Sequence, residues 1–184
     1  MATDPRYQPI TADQFLAMDF GTDRKFELSH GIIHMMTGGT ELHAWVSLNL
    51  TSWLRSALRG SGCRPYGSEM GIRITDVDVR YPHASIFSGP RPEHVAAIKA
   101  LTDPSIVIEV LSPTTTMYDQ GTKLDEYRSL PSVQLIAFID PVNELVTTHR
   151  RSADGWLIDM PKVRDLSLGI AGLTIPHAEI FARD

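Results

Sequence analysis

Residues Ser105 to Leu111 read Ser-Ile-Val-Ile-Glu-Val-Leu, a nearly unbroken β-branched run that suits a strand covered on both faces. After Ser112-Pro113 a helical pattern extends from about Thr115 to Leu130 and stops at Pro131, and a second apolar strand, Val133 to Asp140, is closed by Pro141. A helix between two buried strands implies a crossover connection. The chain is therefore expected to be a mixed α/β (α+β) structure, a central β-sheet flanked by helices.

The N-terminal half adds further elements. Thr11 is placed to cap a short helix through Met18, and Lys25–Leu28 with Ile32–Met36 flank Ser29-His30-Gly31 as a β-hairpin in which Gly31 takes the positive φ of the turn. From Thr40, the residues Val46, Leu50, Trp53, Leu54, Ala57 and Leu58 recur at three and four, an amphipathic helix with Gly60 just beyond it. Gly71–Thr75 and Tyr81–Phe87 are expected as strands across an aspartate-rich turn, followed by a short helix around Glu93 to Leu101. Past Asp140, Glu144–Arg150 and Gly155–Met160 read as hairpin strands, with a short segment before Ile175 and a small helix near His177–Ala182. No repeat, low-complexity tract or long linker divides the 184 residues, so a single domain, 1–184, is expected.

Composition excludes several classes. The longest apolar run, Leu135–Ile139, is five residues, far short of the roughly 20 a membrane helix needs, so no membrane partner is expected. The first residues lack a basic, apolar secretion signal, and the single Cys63 can make neither an internal disulfide nor a multi-cysteine zinc site, which points to the reducing cytoplasm. Seventeen Lys and Arg against 22 Asp and Glu leave a net charge of −5, unfavourable for a polyanion unless a local patch overrides it. Between Leu42 and Thr75 the charged residues are Arg55, Arg59, Arg64, Arg73 and Glu69, a basic stretch that a solvated helix face and loop also explains.

Glu109 places an ionisable carboxylate inside a run that otherwise belongs in the core. Burying that charge unpaired would cost several kcal/mol. It must be protonated, paired with a cation, bound to a metal, or set at the strand's solvent-facing end; a structural ion pair and a functional group are both open. In the following helix Asp119, Lys123 and Tyr127 recur every four residues and share a face, so the lysine can point toward whatever the strand presents. An exposed Asp119–Lys123 pair satisfies the same spacing.

Glu109-Val110-Leu111-Ser112-Pro113-Thr114, then Asp119, Gly121, Lys123, Leu124 and Tyr127, then a strand ending Ile139-Asp140-Pro141, resembles the Uma-two family within the PD-(D/E)XK nuclease superfamily. Lys25-Phe26-Glu27-Leu28-Ser29-His30-Gly31 is similar to that family's opening hairpin, Gly38-Gly39-Thr40 with His43 to the glycine-rich approach to its first long helix, and Tyr81-Pro82 to the start of its proline-aspartate strand. The resemblance spans roughly residues 11–181. It implies a restriction-endonuclease-like fold and a metal-dependent endonuclease that hydrolyses phosphodiester bonds of nucleic acid, DNA first, as a homodimer. It also implies that Glu109, Glu27 and the residue after Pro82 hold Mg2+ or Mn2+, while Lys123 orients a water and offsets developing charge. The superfamily's lysine two residues after the acid is replaced here by Leu111; the Uma-two pattern supplies it from the next helix, where Lys123 sits.

The residue after Pro82 is His83, where the family has aspartate. A neutral imidazole removes one charge and one hard oxygen ligand. The site is then inactive, or takes a borderline metal such as manganese, zinc or nickel, or recruits Asp76 or Asp78, although in an unbroken strand residue 78 faces away from residue 83. The candidate catalytic residues are Glu109, Lys123, Glu27 and His83, with Glu109, His83 and Glu27 as metal ligands and His43 near the mouth. His34, His94, His149 and His177 lack metal-ligand spacing, and Trp45, Trp53 and Trp156 lack the interleaved basic residues of a base-stacking platform. Three functions stand: a metal-dependent endonuclease weakened by His83, a catalytically degenerate relative that binds nucleic acid or protein, and a metal-dependent hydrolase of a smaller phosphate ester.

Overall fold

The computed structural model describes residues 8–89, 98–112 and 119–183. Thr11 caps helix α1 (Ala12–Ala17): its hydroxyl accepts from the Gln14 N–H, and the Gln14 side chain accepts from the Thr11 N–H. Strands β1 (Phe26–Ser29) and β2 (Ile32–Met35) form the expected hairpin, with His30 and Gly31 at φ of 51° and 74° in its two-residue turn. Only glycine fits the second position, because a Cβ there would stand 2.3 Å from Pro9 Cβ and 2.7 Å from its Cα. Helix α2 (Glu41–Ala57) starts at the Thr40 hydroxyl, which accepts from the His43 N–H.

There follow β3 (Cys63–Gly67), β4 (Gly71–Thr75), β5 (Asp78–Arg80), β6 (Ala84–Ser88), β7 (Ala100–Leu101) and β8 (Ile106–Val110). A π-helical turn (Asp119–Lys123) then runs directly into α3 (Leu124–Ser129). The chain ends with β9 (Leu135–Asp140), β10 (Leu145–Ser152), β11 (Gly155–Lys162), β12 (Leu166–Ser167), β13 (Thr174–Ile175) and α4 (His177–Ile180). Among the described residues no helix is long and apolar enough to cross a membrane.

The mixed central sheet is six-stranded, in the order β11-β10-β9-β8-β6-β3, and β8 runs parallel to β9 as the crossover requires. Alternation along β8 divides the core. Ile106, Ile108 and Val110 pack with Val46, Leu50 and Leu54 of α2, whereas Val107 belongs to the opposite face with Leu124 and Tyr127 of α3. Glu109 is in phase with Val107 and so points toward α3. The guanidinium of Arg151 on β10 donates to the carbonyls of Arg128, Leu130 and Val133, satisfying the C-terminal end of that helix.

The hairpin forms one end of a second, five-stranded sheet, β2-β1-β5-β4-β7. Tyr81–Phe87 is not one strand: Pro82 has no N–H for a ladder, and Tyr81-Pro82-His83 carries the chain from β5 in one sheet to β6 in the other. Strand β3 has no clear sequence signal because it contains Pro65, which is tolerated at the sheet edge. Ala100 and Leu101, expected as a helix end, instead pair with Gly71 and Ile72. Residues 93–97 of that expected helix lie outside the described residues, as do residues 115–118 of the expected crossover helix.

Candidate active site

Pairing of β6 with β8 sets Ala84 opposite Ile108 and Ser85 opposite Val107, and one step further along this register His83 meets Glu109. His83 Nδ1 lies 2.6 Å from Glu109 Oε2, which also accepts from the His83 backbone N–H at 3.4 Å. The Val110 N–H points at the same Nδ1 from 3.2 Å. A ring nitrogen cannot accept from one group and donate to the other; the shorter contact, to a carboxylate, makes Nδ1 the donor and Nε2 the open nitrogen.

Glu109 is 0% exposed, and its other oxygen accepts from the Tyr127 hydroxyl at 2.7 Å with Lys123 Nζ 3.7 Å away. Lys123 donates to Glu27 Oε1 at 3.2 Å, so one ammonium bridges the acids of β1 and β8. Lys123 and Tyr127 are one helical turn apart, which presents both to the strand. Burial pushes the Glu109 carboxyl up, but the charge of Lys123, the bond and charge of His83 and the Tyr127 bond together outweigh it and hold the pKa lowered to about 2. The Tyr127 phenol is raised well above its ordinary value, by burial first and then by Glu109 and Glu27, and remains a neutral donor.

Because the folded carboxyl titrates below its ordinary value of 4.5, the stability it contributes is complete above that pH and is lost as pH falls toward about 2. Urea midpoints measured across that window are expected to fall more steeply for the wild-type chain than for Glu109→Gln. Parallel curves would show that the three donors do not stabilise the ionised form.

A second buried network lies beside the first. Arg80, 0% exposed, forms a bidentate pair with Glu126 at 2.6 Å on each side and donates to Leu28 O at 3.1 Å and Ser29 Oγ at 2.9 Å. Its guanidinium also stands 3.8 Å from Glu27 Oε2 and 4.0 Å from Asp78 Oδ1. The sequence offers two signals for this pair: Arg80 is a charge in a strand bounded by apolar residues, and Glu126 lies three residues after Lys123 on the same helix.

All four expected site residues converge. Asp76 and Asp78 do not join them: Asp76 is exposed on Arg73 at 2.8 Å, and Asp78 accepts from the His30 N–H and the Thr75 hydroxyl, each at 2.6 Å. His43 does reach the site, its ring centroid 4.6 Å from that of His83 and its Nε2 3.1 Å from Val110 O. Burial, then the charge of His83, lower its pKa. Gly39 makes the room, since a Cβ there would lie 2.3 Å from His43 Nδ1. The side chain of Asp119, and His94, lie outside the described residues. Trp156, without basic neighbours in the chain pattern, is covered by Arg151 at 4.5 Å and Arg128 at 5.6 Å, a contact made by tertiary structure.

The Uma2 family, described as "Putative restriction endonuclease", matches residues 12–176. The chain belongs to this family. Two Synechocystis sp. proteins resemble this Uma2 chain: the uncharacterized protein slr1290, 27% identical over 83% of this chain and 80% of its own length, and the uncharacterized protein sll1609, 24% identical over 81% and 85%. A crystal structure from Anabaena variabilis, described as "a putative nuclease belonging to DUF820", shares the fold with a TM-score of 0.73 at 22% identity, covering 95% of this chain and 98% of that one.

Restriction-endonuclease-like families generally use divalent metals. The side chains of this Uma2 chain, as arranged, do not fit one. The Lys123 ammonium fills the space between Glu27 and Glu109, Tyr127 and His83 donate to the two Glu109 oxygens, and His83 Nδ1 is engaged by that acid. Among the described residues no three His, Cys, Asp or Glu side chains are grouped to hold a metal ion. Glu109, Glu27 and His83 meet as a hydrogen-bonded cluster with lysine at its centre.

Proposed function

We propose that this Uma2 chain is a nuclease-fold protein that engages nucleic-acid phosphodiesters and in which His83 keeps the inherited hydrolytic site inactive. The 2.6 Å bond from His83 to Glu109 carries the proposal, because one imidazole replaces a carboxylate and also donates to the oxygen that would otherwise face a cation. A second reading, an active endonuclease using Mg2+ or Mn2+, is favoured by the family's description as "Putative restriction endonuclease" and requires Lys123 to leave the space between Glu27 and Glu109. The phosphate-ester hydrolase has no observation of its own in its favour.

Plasmid DNA, single-stranded DNA and RNA, each incubated with Mg2+ or Mn2+, separate the readings. Cleavage by His83→Asp but not by the wild-type chain supports the inactive site. Cleavage by the wild-type chain that Glu109→Gln abolishes moves the assignment to the active enzyme. No binding or cleavage of any substrate by either protein removes both. A cytoplasmic homodimer completes the proposal, associating through β11, an outer strand of the central sheet on which Leu157, Ile158 and Met160 are exposed. Sedimentation velocity that gives a monomer at every concentration removes the dimer.

A further inference from the structure

On the face of β1 opposite Glu27, the turn after α1, the start of β1 and the segment before β7 border an open cavity of about 310 Å³. Phe26 and Glu27 are consecutive strand residues, so they face opposite sides of the sheet. Phe20 and Phe26 lie in the wall as a stacked pair, with ring centroids 4.3 Å apart and planes within 19° of parallel. Arg24, Lys25 and Lys99 also line the cavity, against the single carboxylate of Glu69. Lys25 is held by Ser68 Oγ at 2.9 Å and by Glu69, and Lys99 donates to the Leu16 carbonyl at 2.7 Å.

Planar aromatic surface bordered by cations suits a ligand that carries a π-face and a phosphate together. In a chain of net charge −5, this concentration of positive charge is a local reversal. The residues Phe20, Arg24, Lys25 and Phe26 supply the interleaving of aromatic and basic side chains that the tryptophans lack. Tyr81 joins the cavity to the site: it lines the former, and its backbone N–H donates to Glu27 Oε1 at 3.0 Å.

We infer that this cavity is a nucleotide subsite, in which a base stacks against the Phe20–Phe26 pair and its phosphate meets Lys99 and Arg24. The inference rests on the nucleic-acid reading for the source of the nucleotide, a strand and not a free molecule. The test titrates the full chain with a fluorescein-labelled oligothymidylate of about 12 nucleotides, within the site sizes of single-strand binders, with thymidine monophosphate as competitor. Phe20→Ala and Lys99→Glu are each expected to weaken strand binding about tenfold or more, as loss of a stacked base or a phosphate contact does. Lys99→Arg is expected to restore it, and Arg183→Glu, at an exposed cation that does not line the cavity, to leave it within about twofold. Lys99 is exposed, so its variants report even if Phe20→Ala perturbs folding. Strand binding that survives both Phe20→Ala and Lys99→Glu overturns the subsite while leaving the nucleic-acid reading in place. Displacement of the strand by monophosphate at comparable concentration overturns the strand as the source and keeps the nucleotide chemistry. No binding of either probe overturns the subsite, and the cleavage assay with His83→Asp then judges the nuclease-fold reading separately.

Discussion

His83→Asp is expected to turn a protein indifferent to divalent cations into one stabilised by them. The substituted carboxylate would sit beside Glu109, which is fully buried and held ionised by its neighbours. Two acids side by side repel, so without metal the variant is expected to melt below the wild-type chain. Mg2+ or Mn2+ would relieve that repulsion by binding the folded state alone; at a hundredfold excess over Kd this adds about 2.7 kcal/mol, a rise in Tm of about 5–10 °C for a chain this size. Differential scanning fluorimetry in EDTA and in each metal provides the comparison, and Glu109→Gln added to the variant should erase the gain. An equal metal response in the wild-type chain would show that His83 is no barrier, and no response in the variant would mean that the acid pair is not a latent cation site.

Arg80→Leu is expected to cost the largest share of stability of any single change in the two networks. The guanidinium is 0% exposed and lies among Glu126, Glu27 and Asp78, so removing it strands carboxylates that have little access to water. Breaking a buried pair from one side costs about 3–5 kcal/mol, a large part of the roughly 5–15 kcal/mol that holds a domain folded. Replacing both partners of such a pair by apolar residues is far milder, so Arg80→Leu with Glu126→Leu should recover part of the loss. Urea unfolding measures both variants. A single-variant loss under about 1 kcal/mol, the level of an exposed ion pair, would show that Arg80 does not hold this network together.

The two networks also separate what was legible in the chain from what was not. Glu109 could be singled out because a charge inside a β-branched run breaks a local pattern, and Lys123 because helical spacing aligns it with Tyr127. Arg80 and Glu126 are 46 residues apart and break no such pattern strongly; only the arrival of β5 beneath α3 makes them a pair. The break at Pro82 was present in the residues as a missing N–H, yet its effect, a change of sheet, depends on where β6 finds a partner.

Local chemistry in the chain therefore determined the types of α1, β1, β2, α2, β8 and β9, the buried crossover, and which acids and lysine stood out, since these follow from side-chain periodicity and the cost of burying charge. Tertiary structure decided which atoms those groups touch: the β6–β8 register put His83 against Glu109, and the π-turn with α3 set Lys123 between two carboxylates. Hydrogen bonds form only within about 3.5 Å, a precision that residue spacing along a chain does not encode and that strand pairing supplies.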